Sequence, residues 1–171
     1  MFEKFGEFDS AEEINRAAAA QLAEGDHEAI RGIAAENGLD PEDAEDFIAG
    51  DLPELCNVKL AALGKLKVET EDLKPVEIME DWCGYIRQRA VEDPDVAAAV
   101  RKKGRSLKGC VSVLLAWSFR NAKEVEKDIV KEAAKTCKEI DTVGHGRAWL
   151  GIPGMGTAKK LITKYYLGGK A

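Results

Sequence analysis

Asn37-Gly-Leu-Asp-Pro-Glu-Asp43 closes one helix and opens the next. Asparagine and glycine both tolerate the left-handed conformation that ends a helix. Asp40 can accept hydrogen bonds from the free amides of a helix start, Pro41 fits the first helical position, and Glu42 and Asp43 suit the positive end of the helix dipole. Similar punctuation recurs in both directions. Upstream, Ser10-Ala-Glu-Glu13 is a capping box leading into an alanine-rich run, which Gly25-Asp26 ends while starting the following helix. Downstream, Pro53 is expected to open a short helix that Gly64 closes. Lys74-Pro75 precedes a helix carrying Ile78, Trp82, Tyr85 and Ile86 at helical spacing. Asp93-Pro94 starts a helix over 95–103, Ser106 can cap one beginning at Leu107, and Asn121-Ala-Lys-Glu124 is a further capping box expected to open a helix to about Lys138. Strand signals are weak. Lys65-Leu-Lys-Val-Glu69 could form a short extended piece, but no second run pairs with it. The fold class that follows is all-α, a compact multi-helix protein of eight or nine short helices.

Charge divides this chain in two. Residues 1–100 hold 25 Asp/Glu and 9 Lys/Arg, whereas residues 101–171 hold 6 and 16, so a net charge of −6 conceals an acidic part and a basic one. The expected organisation is an acidic helical lobe over 1–70 and a basic helical lobe over 71–171, with a boundary near Glu69–Lys74. Leu107, Cys110, Val111, Val113, Leu114, Leu115, Trp117 and Phe119 leave almost no polar face, and a helix apolar nearly all round is buried on most sides. The helix over 107–120 is therefore expected to organise the core of the second lobe. At 171 residues the chain can bury enough surface to fold without disulfides or metal.

The opening MFEKFGEFDS has no basic stretch leading into an apolar run, as a secretory signal would, and no segment approaches the ~18 apolar residues of a membrane span. The expected address is the cytoplasm, without a membrane partner. Cys56, Cys83, Cys110 and Cys137 lack the close pairing of zinc ligands and are expected to be reduced structural thiols. No cofactor or metal is expected.

Three stretches could carry function. Asp40, Glu42, Asp43, Glu45, Asp46, Asp51 and Glu54 are the densest part of the acidic region. They either mimic a phosphate backbone and enter a basic groove of another protein, or form a solvated helix face. Arg101, Lys102, Lys103, Arg105 and Lys108 fall within eight residues at a helix end. They either complement the helix dipole or contact phosphate or an acidic patch. Pro153-Gly-Met-Gly156 resembles the turn of helix-hairpin-helix DNA-binding proteins. On that reading Gly154 and Gly156 present amides to a phosphate, Thr157 caps the next helix, and Lys159, Lys160 and Lys164 flank it. Lys160 and Thr163 stand where that family carries apolar residues, which leaves the register of the second helix open. The same stretch is not a P-loop, because Thr157-Ala158 replaces the Lys-Ser/Thr pair that holds phosphate and magnesium. His27 and His145 form no local motif, and no acid pair stands out as a dyad. The composition points to a binding protein rather than an enzyme.

Asp40-Pro-Glu-Asp43, Ala99-Val-Arg-Lys-Lys-Gly-Arg-Ser-Leu-Lys-Gly109 and the closing Gly151-Ile-Pro-Gly-Met-Gly156, Lys159-Lys-Leu-Ile162 and Tyr165-Tyr-Leu167 together resemble small proteins carried on mobile elements of gut Firmicutes, among them the type II-A anti-CRISPR proteins that inhibit Cas9. That resemblance implies a protein that binds Cas9 or its complex with guide RNA and stops target DNA from being bound or cut, without turnover, in the cytoplasm of a bacterial host. It does not choose between an acidic lobe lying in the Cas9 DNA channel and a basic lobe holding nucleic acid. The alternative is an accessory protein of a conjugative or phage element that binds double-stranded DNA through residues 101–108 and 151–164.

Overall fold

The computed structural model describes residues 4–168, so the outer ends of both expected lobes lie outside the described residues. The elements run α1 (Ala11–Glu24), α2 (His27–Glu36), α3 (Pro41–Ala49), α4 (Val58–Leu73), α5 (Ile78–Glu92), α6 (Pro94–Arg101), α7 (Leu107–Asn121), β1 (Lys123–Glu124), α8 (Lys127–Ala134), α9 (Glu139–Thr142), β2 (Trp149–Leu150) and α10 (Met155–Leu167). The architecture is all-α, with one small antiparallel ribbon that pairs Lys123 with Leu150 and Glu124 with Trp149.

Most helix starts are those read from the sequence. Ser10, Asp26, Asp40, Asp93 and Ser106 each accept a hydrogen bond from an amide of the first turn that follows. Gly25 and Gly50 end α1 and α3 in the left-handed conformation. After α2 the left-handed residue is Gly38 alone, because Asn37 keeps a negative φ.

Other boundaries differ. Gly64 does not end a helix; it lies inside α4, which Asn57 caps and which runs on through 65–69, the segment expected to be extended. Lys123 and Glu124 enter the ribbon, so the anticipated helix from Asn121 is replaced by a strand and the shorter α8.

Two hydrophobic cores lie on either side of α4. Ile14, Ile30, Ile33, Phe47 and Leu55 fill the first together with Ala61. Leu66, Trp82, Ile86, Val100, Leu107, Leu114 and Ile162 fill the second together with Ala62. Consecutive residues of one helix thus face different cores, and Glu69–Lys74, expected to be a loop, is the last turn of α4 and the residue that caps it. The helix over 107–120 is not a buried centre. Leu107, Cys110 and Leu114 are enclosed, but Leu115 and Phe119 are 54% and 80% exposed.

A buried polar network ties the two cores together. Lys65 on α4 is fully enclosed and its ammonium reaches the Glu7 carboxylate at 2.5 Å and the Lys102 carbonyl at 3.2 Å. Glu69, one turn further, accepts the Leu107 amide at 2.8 Å and so satisfies a free donor at the start of α7. Burial pushes the Glu69 carboxyl above its ordinary range, against the opposing effects of the Leu107 amide and the Lys65 ammonium. Arg101 at the end of α6 donates to the Asn37 side chain, which in turn donates to the Ile33 carbonyl. Asn15 holds the α3–α4 connection against α1 by exchanging two hydrogen bonds with the Cys56 backbone, at 2.8 and 3.0 Å.

Cys56, Cys83 and Cys110 are buried thiols, and burial pushes Cys56 and Cys110 up to about 12. Cys137 is exposed and lies 3.3 Å from a Glu139 oxygen, so it fills neither core.

Candidate partner-binding surfaces

The basic cluster at 101–108 divides into an inward part and an outward part. Arg101 is 1% exposed and lodged against Asn37, so the expectation that it contacts a partner is corrected: its guanidinium joins the two cores. Lys102 and Lys103 reach the solvent, yet both are engaged with the acidic region. The Lys102 ammonium lies 3.1 Å from an Asp9 oxygen, the Lys103 amide donates to the other Asp9 oxygen at 2.9 Å, and the Lys103 ammonium sits 3.7 Å from Glu13. The Lys103 amide and the Lys102 ammonium hold the Asp9 carboxyl below its usual range. Part of the opposition between the lobes is therefore spent inside the fold. Arg105 stacks on Tyr165, 5.2 Å from the ring centre, and Lys108 is exposed in the first turn of α7.

The Pro153–Gly156 turn lacks the setting that its resemblance implies. A helix-hairpin-helix unit needs a helix on each side, but here β2 precedes the turn and α9 ends at Thr142. The buried Pro153 and the half-buried Met155 seat α10 on the second core. Gly154 is the residue before the helix, so Thr157 is not its cap; it lies within the first turn and donates its amide to the Gly154 carbonyl. A Cβ at Gly154 or Gly156 would meet nothing within 4 Å. Lys159 lies over the Tyr85 ring at 5.1 Å, whereas Lys160 and Lys164 are exposed one turn apart.

The acidic residues are exposed except for Asp43, which is half-buried. Asp40 uses its carboxylate to cap α3, accepting the Glu42 amide at 3.0 Å. Glu45 is held by both guanidinium arms of Arg31, at 2.6 and 3.0 Å, and that contact keeps its carboxyl below the usual range. Among the described residues no cation pairs with Glu42, Asp43, Asp46, Asp51 or Glu54. Asp40, Glu42, Asp43 and Asp46 form one wall of an open groove of about 370 Å³ between α3 and α4, and Leu60 and Leu63 lie on its other side with Lys67. Gly38 and Gly64, which let α2 and α4 meet backbone to backbone, also line it.

One surface escaped the sequence reading. Leu115 and Phe119 on α7, Trp149 and Leu150 on β2, and Ile152 just beyond are all at least half exposed. The signal for Leu115 and Phe119 was the apolar run of 107–120, which is equally compatible with burial and with an outward apolar face.

No protein-family model, curated protein or solved structure matches this chain. Among the described residues no group of three or more His, Cys, Asp or Glu side chains could hold a metal ion, and no helix is long and apolar enough to cross a membrane.

Proposed function

We propose that this chain is a non-catalytic inhibitor of Cas9 that lays its acidic face, rather than its basic one, in the nucleic-acid channel. The resemblance described above supplies the target. One observation supports that face: among the described residues no cation pairs with the exposed Glu42, Asp46, Asp51 and Glu54, whereas Arg101, Lys102 and Lys103 are engaged with Asn37, Asp9 and Glu13. The Cas9 channel is positively charged because it holds a nucleic-acid backbone, and a row of fixed carboxylates competes for the same cations. Burying such carboxylates against arginine or lysine gives charge-assisted hydrogen bonds, while the fixed placement of Glu42 and Asp46 on α3 lowers the ordering cost of docking.

The test is titration of the purified chain into a guide-loaded Cas9 cleavage reaction, with a gel shift of the same DNA without Cas9 in parallel. Loss of cleavage near one equivalent, without retention of free DNA, supports the reading. Unaffected cleavage accompanied by a salt-sensitive DNA shift overturns it in favour of a duplex-binding accessory protein acting through Lys108, Lys160 and Lys164.

A further inference from the structure

The segment from Lys123 to Leu150 leaves the helical body between α7 and α10 and returns to it through the β1–β2 ribbon. Its base is locked by Arg147, which places two guanidinium nitrogens on the Glu124 carboxylate at 2.7 and 3.1 Å and stacks over Trp149 at 4.7 Å. Gly151 then sits directly against the Ser118 carbonyl and the Ala122 backbone. That contact anchors the chain between Leu150 and Ile152 on the last turns of α7, which carry Leu115 and Phe119 one turn apart. The apolar residues at this junction are exposed by half or more, Phe119 by 80%. Soluble proteins seldom leave contiguous apolar surface of this kind uncovered.

We propose that this junction is the interface of a symmetric homodimer. Three observations favour a second copy over another partner. The first is charge. The excursion over 123–150 carries six Lys/Arg and six Asp/Glu, while residues 1–54 carry 16 acids and three Lys/Arg. A two-fold axis sets like against like, so the acidic face of residues 1–54 would repel itself, whereas here the charges balance and two pairs are local, Asp128–Lys131 and Glu132–Lys135. The second is edge geometry. A two-stranded ribbon has two open edges, and a two-fold axis beside β2 lets the same edge of each copy pair antiparallel with the other. The third is size. Five large apolar side chains exposed by half or more offer on the order of several hundred Å² per copy, approaching the ~800 Å² that each partner contributes to a standard interface.

Sedimentation velocity of the wild-type chain from about 1 to 100 µM tests this, because an interface of this kind is expected to have a micromolar dissociation constant. Phe119→Glu and Leu150→Glu are measured alongside, each checked by circular dichroism. The expected result is a concentration-dependent dimer in the wild type that both substitutions convert to a monomer at every concentration, since each buries a charge twice across a two-fold axis. A wild type that remains monomeric at the highest concentration overturns the proposal. So does a dimer that neither substitution weakens. A monomeric wild type whose Cas9 inhibition is lost on Phe119→Glu would assign the patch to the partner instead of a second copy.

Discussion

Gly38 and Gly64 meet backbone to backbone where α2 ends against the middle of α4. A Cβ on Gly64 would strike the Asn37 carbonyl, and one on Gly38 would strike the Gly64 carbonyl. Gly38 is doubly constrained, since its φ of +66° also belongs to the left-handed region. This approach places Asn37 where Arg101 can reach it, and so determines how the two cores are joined.

Gly64→Ala is accordingly expected to lose about 2–3 kcal/mol of stability, because neither colliding group is a side chain able to turn aside. Gly84→Ala is the matched control. It lies inside α5, a Cβ there meets nothing within 4 Å, and its gain should be about 0.5–1 kcal/mol from helix propensity. Chemical denaturation of both variants checks the contrast. Equal effects would show that the α2–α4 contact is looser than described.

Asp9 gives a prediction about acid. Its carboxyl lies below the ordinary 3.8 because the Lys103 amide and the Lys102 ammonium favour the charged form. A depressed acid stabilises the fold at pH values above its unfolded pKa, and that contribution disappears as pH falls through the folded value. Asp9→Asn should therefore be less stable than the wild type at neutral pH. The difference should shrink as pH falls below about 4. Denaturation midpoints collected between neutral pH and the acid limit check this; a constant difference would mean that the ion pair contributes nothing.

Glu69 has the opposite sign. Burial raises its pKa, so the folded protein holds the proton more tightly than the unfolded chain, and its contribution falls as pH rises from the ordinary 4.5 through the folded value. Glu69→Gln keeps an acceptor for the Leu107 amide and should flatten that decline. Glu69→Ala removes the acceptor and leaves a buried amide unsatisfied, at a cost of about 1–3 kcal/mol. Comparing the two variants at pH 5 and pH 8 separates the charge from the hydrogen bond. If alanine and glutamine behave alike, the Glu69–Leu107 contact is not a significant support for α7.

The fold was legible where a single residue decides the backbone. Asp40, Asp93 and Ser106 act locally, and their capping role needs no knowledge of the rest of the chain. It was illegible where a residue answers to something distant. Gly64 carries the local mark of a helix end, but its missing side chain serves Asn37 across the fold. Asn121-Ala-Lys-Glu124 carries the mark of a helix start, but Glu124 is taken by Arg147 from the returning strand. The same limit governs the surfaces. Local sequence makes Arg101, Lys102 and Lys103 one basic patch, and only the tertiary arrangement divides them by bringing Asn37 and Asp9 alongside. An apolar run such as Leu107–Phe119 records how much of a helix avoids charge, without recording which parts find a covering neighbour.

The last prediction concerns which charges meet the partner. Asp46, Asp51 and Glu54 are exposed on α3 and the connection that follows it, and no cation pairs with them among the described residues. Replacing them with Asn, Asn and Gln removes three charges without disturbing a cap or an ion pair. Stability should change by less than about 0.5 kcal/mol. Inhibition of guide-loaded Cas9 should weaken by at least about tenfold, the effect of ~1.4 kcal/mol, because charge-assisted contacts are the strong hydrogen bonds of an interface. Lys160→Glu with Lys164→Glu reverses two charges on the opposite lobe and should leave inhibition within about twofold. Reversal of that order, with the lysine pair sensitive and the acidic trio silent, would move the contact to α10. Raising the salt concentration gives an independent readout: inhibition by the wild type should weaken with salt and that by the neutralised trio much less, since screening acts only on charges that are present.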